Sequence, residues 1–320
     1  MQHHFIKALN EKYNTNDPSS LTGMDKQHYT FAATSNARGE KTMESIGRYG
    51  FDLNGLRVLD VGCAYGGFAI AAAERGAVVY GIDIDEDLLK FAELNLLERK
   101  GMDCKLLRTD ATSVAFLEEI PHNFFDLIIL NDVFEHVYNT TNLLNNMSIV
   151  GNSDCAIYFK IPSGTNIEYA VTEPHSGYLG LTVLPPLAWY LSGIEQRNIY
   201  YRPWEYYSAL FNYYGFNNTC FTTFPDNCED NIVDLIRSEL FENSKKWNNR
   251  ITNYSEEFQH QVNIALIEFE KRLEYDFLRL DSRQLKFKYF TSFWKGYTHK
   301  SSNYVNVNWR NTENKVLERK

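Results

Sequence analysis

The hydrophobic and polar positions fall into a repeating order from about residue 50 onward. Arg57 to Val61 is a short apolar run, Gly62 to Gly67 a turn, and Phe68 to Arg75 an Ala-rich helical stretch closed by Gly76. Ala77 to Ile82 is a second apolar, β-branched run. Glu86 to Lys100 places Leu88, Leu89, Ala92 and Leu96 on one helical face, with Gly101 behind it. Lys105 to Thr109 is a weaker strand, Phe125 to Leu130 (FDLIIL) a strong one, Thr140 to Ile149 a helix and Ala156 to Ile161 a further strand. Strands alternating with helices predict a parallel sheet covered on both faces, since each parallel crossover consumes a dozen or more residues. The unbroken apolar character of FDLIIL fits a central strand buried on both sides.

Outside this frame the pattern is looser. Residues 1–50 are polar and mixed; Tyr29 to Arg38 reads as a loop leading into a short helix at about Gly39 to Tyr49. Residues 163–202 are rich in Gly, Pro and aromatics. Pro203 to Tyr214 predicts a helix, Phe216 to Phe224 a strand, 229–284 a charged helical region, and Lys288 to His299 a last strand. Ile232, Leu235, Ile236 and Leu240, then Val262, Leu266, Phe269, Leu273 and Phe277, give one apolar stripe per helix. Such stripes suit a helical pair on its own core, a cover for a site, or a face for a second subunit. The expected organisation is an N-terminal segment or lid (1–50), a core (51–225 with 285–300), a cleft-covering insertion (163–202) and a helical insertion (229–284). The tail from Asn303 is expected to be loosely ordered.

Composition narrows the function classes. The chain has 320 residues, 44% hydrophobic and 15% aromatic, with a formal net charge of −9. That charge disfavours a sequence-independent nucleic-acid partner, which needs a basic face to displace phosphate counterions. No apolar run reaches the roughly 20 residues of a membrane helix, and the N-terminus lacks a signal-peptide core. Cys63, Cys104, Cys155, Cys220 and Cys228 form no C-x-x-C pair, so no metal site is expected, and an odd count suits reduced thiols in the cytoplasm.

The candidate chemistry sits at the ends of the strands. In VLDVGCAYGG a strand stops at Asp60-Val61 and turns at once into a helix; Gly62 and Gly66 permit positive φ or a close ligand, and the helix start offers unpaired N–H groups. Asp83, closing GIDID, lies where a doubly wound fold sets an acid against a ribose diol. Asp110-Ala111 follows the third strand and Asn131-Asp132 the fourth. An NAD enzyme shares the glycine spacing but gives TDAT and NDVFEHV no role.

Together VLDVGCAYGG, GIDID, TDAT and DLIILNDVFEHV resemble the four motifs of the class I S-adenosylmethionine (SAM)-dependent methyltransferases, over about Leu56 to Pro162. The resemblance implies a Rossmann-like, doubly wound, mostly parallel seven-stranded sheet with helical insertions. It implies that Asp60, Gly62, Cys63, Ala64 and Gly66 line the methionine part of SAM, Asp83 and Ile84 the ribose, Asp110 and Ala111 the adenine, and Asn131 the floor beneath the sulfonium. Ala64 stands where a glycine is frequent. Tyr29 is a candidate to close over the cofactor.

For a hydroxyl acceptor a base is needed. Glu135-His136 follows the fourth strand, and His175, in TEPHSGYLGLTVLPP, follows the fifth; each is a catalytic candidate, and each has a plain structural alternative as a cap or a satisfied loop histidine. Tyr169, Tyr178, Trp189, Tyr190, Tyr200, Tyr201, Trp204, Tyr206 and Tyr207 crowd the same region and suit an aromatic or saccharide acceptor, or packing. The expected activity is methyl transfer to a small-molecule or glycan-like acceptor at oxygen. The alternatives are N- or C-methylation of a secondary metabolite, or a non-catalytic SAM-binding regulatory or assembly subunit. A homodimer is compatible with the helical insertion.

Overall fold

The computed structural model describes residues 4–99, 101–175, 177–185, 188, 191, 199–227 and 230–300. The expectations at Trp189, Tyr190, Cys228 and the tail from Asn303 lie outside the described residues.

Three helices precede the sheet: α1 (His4–Lys12), α2 (Gly23–Ala33) and α3 (Ser35–Arg48). Then come β1 (Arg57–Val61), α4 (Gly67–Ala73), β2 (Val78–Asp83), α5 (Glu86–Leu97), β3 (Cys104–Arg108), α6 (Val114–Glu119), β4 (Phe125–Asn131), α7 (Thr140–Val150) and β5 (Gly151–Pro162). The remainder is α8 (Ile167–Val171), α9 (Trp204–Tyr213), β6 (Asn218–Phe221), α10 (Ile232–Ile251), α11 (Glu256–Phe277), α12 (Ser282–Phe290) and β7 (Phe293–His299). The seven strands form one sheet in the order β3-β2-β1-β4-β5-β7-β6, with β7 antiparallel to both neighbours and the other pairs parallel.

FDLIIL is the central strand its composition predicts. Ile128 and Leu130 join a core with Phe134, Leu143, Met147 and Phe211, whereas Leu127 and Ile129 face Met43, Ala69, Ala72 and Tyr158 on the other side. Burial on both faces removes the alternation that a half-exposed strand would show. No helix among the described residues is long and apolar enough to cross a membrane.

Two expectations require correction. Tyr29 to Arg38 is not a loop: α2 runs to Ala33 and α3 starts at Ser35, hinged only at Thr34 (φ −93°, ψ 6°). The stretch contains neither Pro nor Gly, and Thr34 Oγ1 turns back onto the Thr30 carbonyl at 2.7 Å, so the helices meet almost end to end. α2 buries only Tyr29 and Ala32, which is why no apolar stripe marked it. The last strand is also shorter than the Lys288 to His299 run, because a capping box between Asp281 and Gln284 starts α12, which holds residues through Phe290 in helix.

The two insertions pack on each other. Trp247 and Ile251 of α10 and Phe258 and Val262 of α11 share a core with Ala170, Val171, Leu179, Leu181 and Leu184. Arg250 of α10 donates to the carbonyls of Val171 and Gly177, both at 2.5 Å. The helical insertion thus braces the segment that follows β5.

α3 lies across the start of α4 at backbone contact. A Cβ built on Gly39 would fall 2.0 Å from the Gly67 carbonyl oxygen, and one on Gly67 2.3 Å from the Ser35 carbonyl oxygen. Both glycines are there because no side chain fits. Gly47, on the same helix, faces open space. Gly39→Ala is therefore expected to destabilise the protein by about 1–3 kcal/mol through overpacking. Gly47→Ala is expected to stabilise it by about 0.5–1 kcal/mol through reduced chain entropy. Chemical denaturation of the two single variants checks the contrast.

Candidate active site

The carboxyl ends of β1, β2 and β4 and the loop after β3 open onto a single cavity of about 900 Å³. It is the kind of crevice expected where strand order reverses, here between β1 and β4. Asp60, Gly62, Cys63, Ala64, Asp83, Ile84, Asp110, Ala111, Asn131, His136 and His175 all line it. The structure therefore brings together most of the residues that the sequence singled out.

The turn after β1 is held by Asp83. Its Oδ2 accepts the Ala64 N–H at 2.8 Å and its Oδ1 accepts the Asp85 N–H at 2.9 Å. Each oxygen retains a second lone pair. Ala64 sits at φ +47°, a left-handed conformation that favours glycine. Gly62 is at φ +68°, and a Cβ there would meet Val133 Cγ2 at 3.0 Å. Ile84 stands 65% exposed at the rim, an apolar side chain left open to a ligand. Asp110 spends Oδ1 on the Thr112 N–H and hydroxyl, each at 2.8 Å. Asn131 donates to Asp132 at 2.8 Å, and Asp132 is clamped by Lys160 Nζ at 2.8 and 2.9 Å.

Three expected residues lie elsewhere. Tyr29 does not line the cavity: it is buried among Phe5, Leu9 and Tyr65, its hydroxyl donating to Asn10 Oδ1 at 2.7 Å. Gly66 turns toward α5, where its absent Cβ makes room for Ala92. Glu135 is behind the wall, 1% exposed. Residues not singled out from sequence line the cavity as well. Phe31 and Tyr65 line the cavity, and Arg38 enters it from α3, stacked 3.7 Å from the Phe31 ring centre with its buried Nε lacking a partner. Nothing in the local sequence marks Arg38; only the close α3–α4 crossing brings it there.

Two buried acids dominate the electrostatics. Asp60 is buried, and Oδ2 has no partner. Burial pushes its carboxyl up to about 8, with the Ala69 backbone N–H opposing and the nearby Asp83 charge adding to the rise. Glu135 is raised well above the ordinary carboxylate range, first by burial and then by Asp132, and neither of its oxygens has a hydrogen-bond partner. Cys63 is likewise pushed up by burial, an unreactive thiol.

At the opposite end of the cavity two imidazoles converge. His136 and His175 stack edge to face with ring centres 5.3 Å apart. His175 is firmly oriented: Glu173 Oε1 accepts its backbone N–H at 2.7 Å, lies 2.8 Å from Nδ1, and also accepts the Tyr201 hydroxyl. A carboxylate can only accept, so the network assigns the proton to Nδ1 and leaves a lone pair on Nε2. Nε2 lies 3.8 Å from Glu135 Oε1, and His136 Nε2 lies 3.9 Å from the same oxygen.

Parts of the chain resemble known proteins. Residues 52–176 match a family described as "Methyltransferase domain". Over 92 residues the chain is 39% identical to the ubiquinone biosynthesis O-methyltransferase of Pseudomonas entomophila (strain L48), covering 29% of this chain and 38% of that one. The enzyme of the same name from Paracidovorax citrulli (strain AAC00-1) is 41% identical over 85 residues, 27% and 34% of the two chains. The chain thus spans little more than a third of the length of these curated relatives. Among solved structures, a SAM-dependent methyltransferase from Archaeoglobus fulgidus aligns over 92% of this chain and 99% of that one, with 16% identity and a TM-score of 0.47.

Asp60 generates a prediction. Its folded carboxyl titrates near 8, against about 3.9 for a free aspartate. The folded state therefore holds the proton more tightly, and stability is lost as pH rises from about 4 toward 8. Asp60→Asn is expected to melt higher than the ligand-free wild type at pH 8, with the advantage vanishing toward pH 4. Thermal melts across that range check it.

Proposed function

We propose that this chain, whose residues 52–176 form a methyltransferase domain of the class I SAM-dependent type, transfers a methyl group to a hydroxyl of a small-molecule acceptor. The observation that carries this reading is one cavity lined both by the strand-end residues Asp60, Asp83, Asp110 and Asn131 and by the histidine pair His136 and His175. Its volume, about 900 Å³, is near the upper end of small-molecule sites, which run from about 300 to 1,000 Å³. That gives room for a cofactor and a small acceptor together.

The residues present suit SAM. Asp83 keeps acceptor lone pairs free for a ribose diol, and Ile84 and Ala111 offer apolar surface for the adenosine. The unpartnered Oδ2 of Asp60 and the half-buried guanidinium of Arg38, whose Nε has no partner, suit the ammonium and carboxylate of an amino acid. Gly62 leaves the space that a Cβ would fill. When bound, SAM supplies an activated methyl group on a sulfonium. The protein's part is then alignment and exclusion of water, with Asn131 at the floor.

Oxygen as the acceptor atom is supported by the two histidines. A hydroxyl must shed a proton on methylation, and His175 Nε2 presents a lone pair at the acceptor end, held by Glu173. The matched relatives, named as O-methyltransferases, point the same way. Tyr138 and Tyr200, with ring centres 5.3 Å apart, line this end and suit a flat ring or a sugar face. The organisation we favour has residues 1–50 and 163–202 covering the two ends of the cleft, in a cytoplasmic enzyme.

Isothermal titration with SAM and turnover against hydroxylated aromatic and saccharide acceptors test the reading. Asp83→Ala is expected to weaken SAM binding by about tenfold or more, as befits lost hydrogen bonds to a charged group. His175→Ala should lower kcat by roughly 10²–10⁴-fold while SAM affinity holds. Absence of any SAM binding by the wild type would remove the proposal.

A further inference from the structure

We infer that Glu135, His136 and His175 form a binding site for a divalent transition-metal ion of the zinc class, placed at the acceptor end of the cavity. The inference rests on the function proposed above and revises one role in it: with His175 Nε2 on the ion, the ion and not the imidazole eases loss of the hydroxyl's proton.

The three side chains each offer one ligand atom, and these atoms all lie within 4.8 Å of one another. Glu135 Oε1 is 3.8 Å from His175 Nε2 and 3.9 Å from His136 Nε2. A tetrahedral ion with bonds of about 2.1 Å sets its ligands about 3.4 Å apart, so the two pairs that include Glu135 need to close by roughly half an ångström, and the two imidazoles draw together on the ion.

A second, independent feature points to a ligand. The Glu135 carboxylate is 1% exposed, and neither oxygen has a hydrogen-bond partner. A buried polar group is costly when left unmatched, and a buried carboxylate most of all. A cation between Oε1 and the two imidazoles removes that cost. The backbone holds the residue in place, because the Tyr200 N–H donates to the Glu135 carbonyl at 2.5 Å.

A third feature concerns what lies behind the cluster. Metal-ligating histidines commonly pass their other N–H to a carboxylate, which fixes the tautomer and raises ligand basicity. Glu173 stands in that relation to His175, 2.8 Å from Nδ1, and is itself steadied by Tyr201. Arg250 fastens this loop from α10. Two imidazoles and one carboxylate favour zinc, cobalt, nickel or ferrous ions over magnesium or calcium, which prefer oxygen ligands. Three protein ligands would leave a fourth coordination position beside the cavity that His136 and His175 line, where an acceptor hydroxyl would release its proton to water more readily than when free.

The test uses the full chain, stripped with a chelator and titrated with cobalt(II), whose visible absorption reports coordination. The wild type is expected to take up one equivalent with new absorption bands. Glu135→Gln and His175→Ala should abolish the bands, and Glu173→Gln should weaken uptake roughly 10–100-fold. Titration with S-adenosylhomocysteine on each variant reports separately on the cofactor wall and on folding. A wild type that binds S-adenosylhomocysteine yet takes up no more cobalt than the double variant Glu135→Gln/His175→Ala overturns the metal site and leaves the methyltransferase reading standing. Cobalt uptake without S-adenosylhomocysteine binding does the reverse. Turnover untouched by the chelator, in protein shown to be metal-free, assigns the cluster to direct proton uptake and likewise overturns the inference.

Discussion

The carboxylate of Asp83 is the joint on which the cavity is built. It stands at the end of β2 and accepts one backbone N–H from the turn after β1 and another from the start of the segment leading to α5. Two successive crossovers are thereby locked to the same strand end. The turn can take its left-handed steps at Gly62, Ala64 and Gly66 because this anchor repays part of their strain. Without it, the glycine-rich loop would have no fixed height above the sheet, and the rest of the wall would lose its reference point.

The acids around this joint fall into two groups. Asp126 and Asp132 are matched, the first by Arg57 at 2.7 Å and the second by Lys160. Asp60, which lines the cavity, and Glu135, behind its wall, are buried without such partners. A protein carries unmatched buried acids at a cost in stability, and such residues concentrate where ligands bind.

Much of the fold was legible because its parallel strands are short apolar runs set between helices with strong stop signals. β1 matches its run residue for residue, and α5 and α7 start where their capping residues, Asp85 and Asn139, stand. The strand-end residues were legible for the same reason, since topology alone delivers them to one edge. What could not be read depends on contacts between distant segments. Arg38 enters through a helix crossing, Tyr29 is drawn away by the aromatic cluster around Phe5, and Gly66 serves α5 rather than the cavity. The meeting of His136 with His175 hangs on a loop whose position is set by α10, and no spacing in the chain encodes that.

The paired glycines at 39 and 67 have an implication for how this architecture can change. Backbone pressed on backbone leaves no side chain to absorb a shift, so α3 and the turn after β1 behave as one rigid piece rather than as a body with a hinged cover. Transplanting the turn into another sheet would require carrying α3 with it. Gly164, just after β5, repeats the device, since a Cβ there would fall 2.8 Å from the Arg202 carbonyl oxygen.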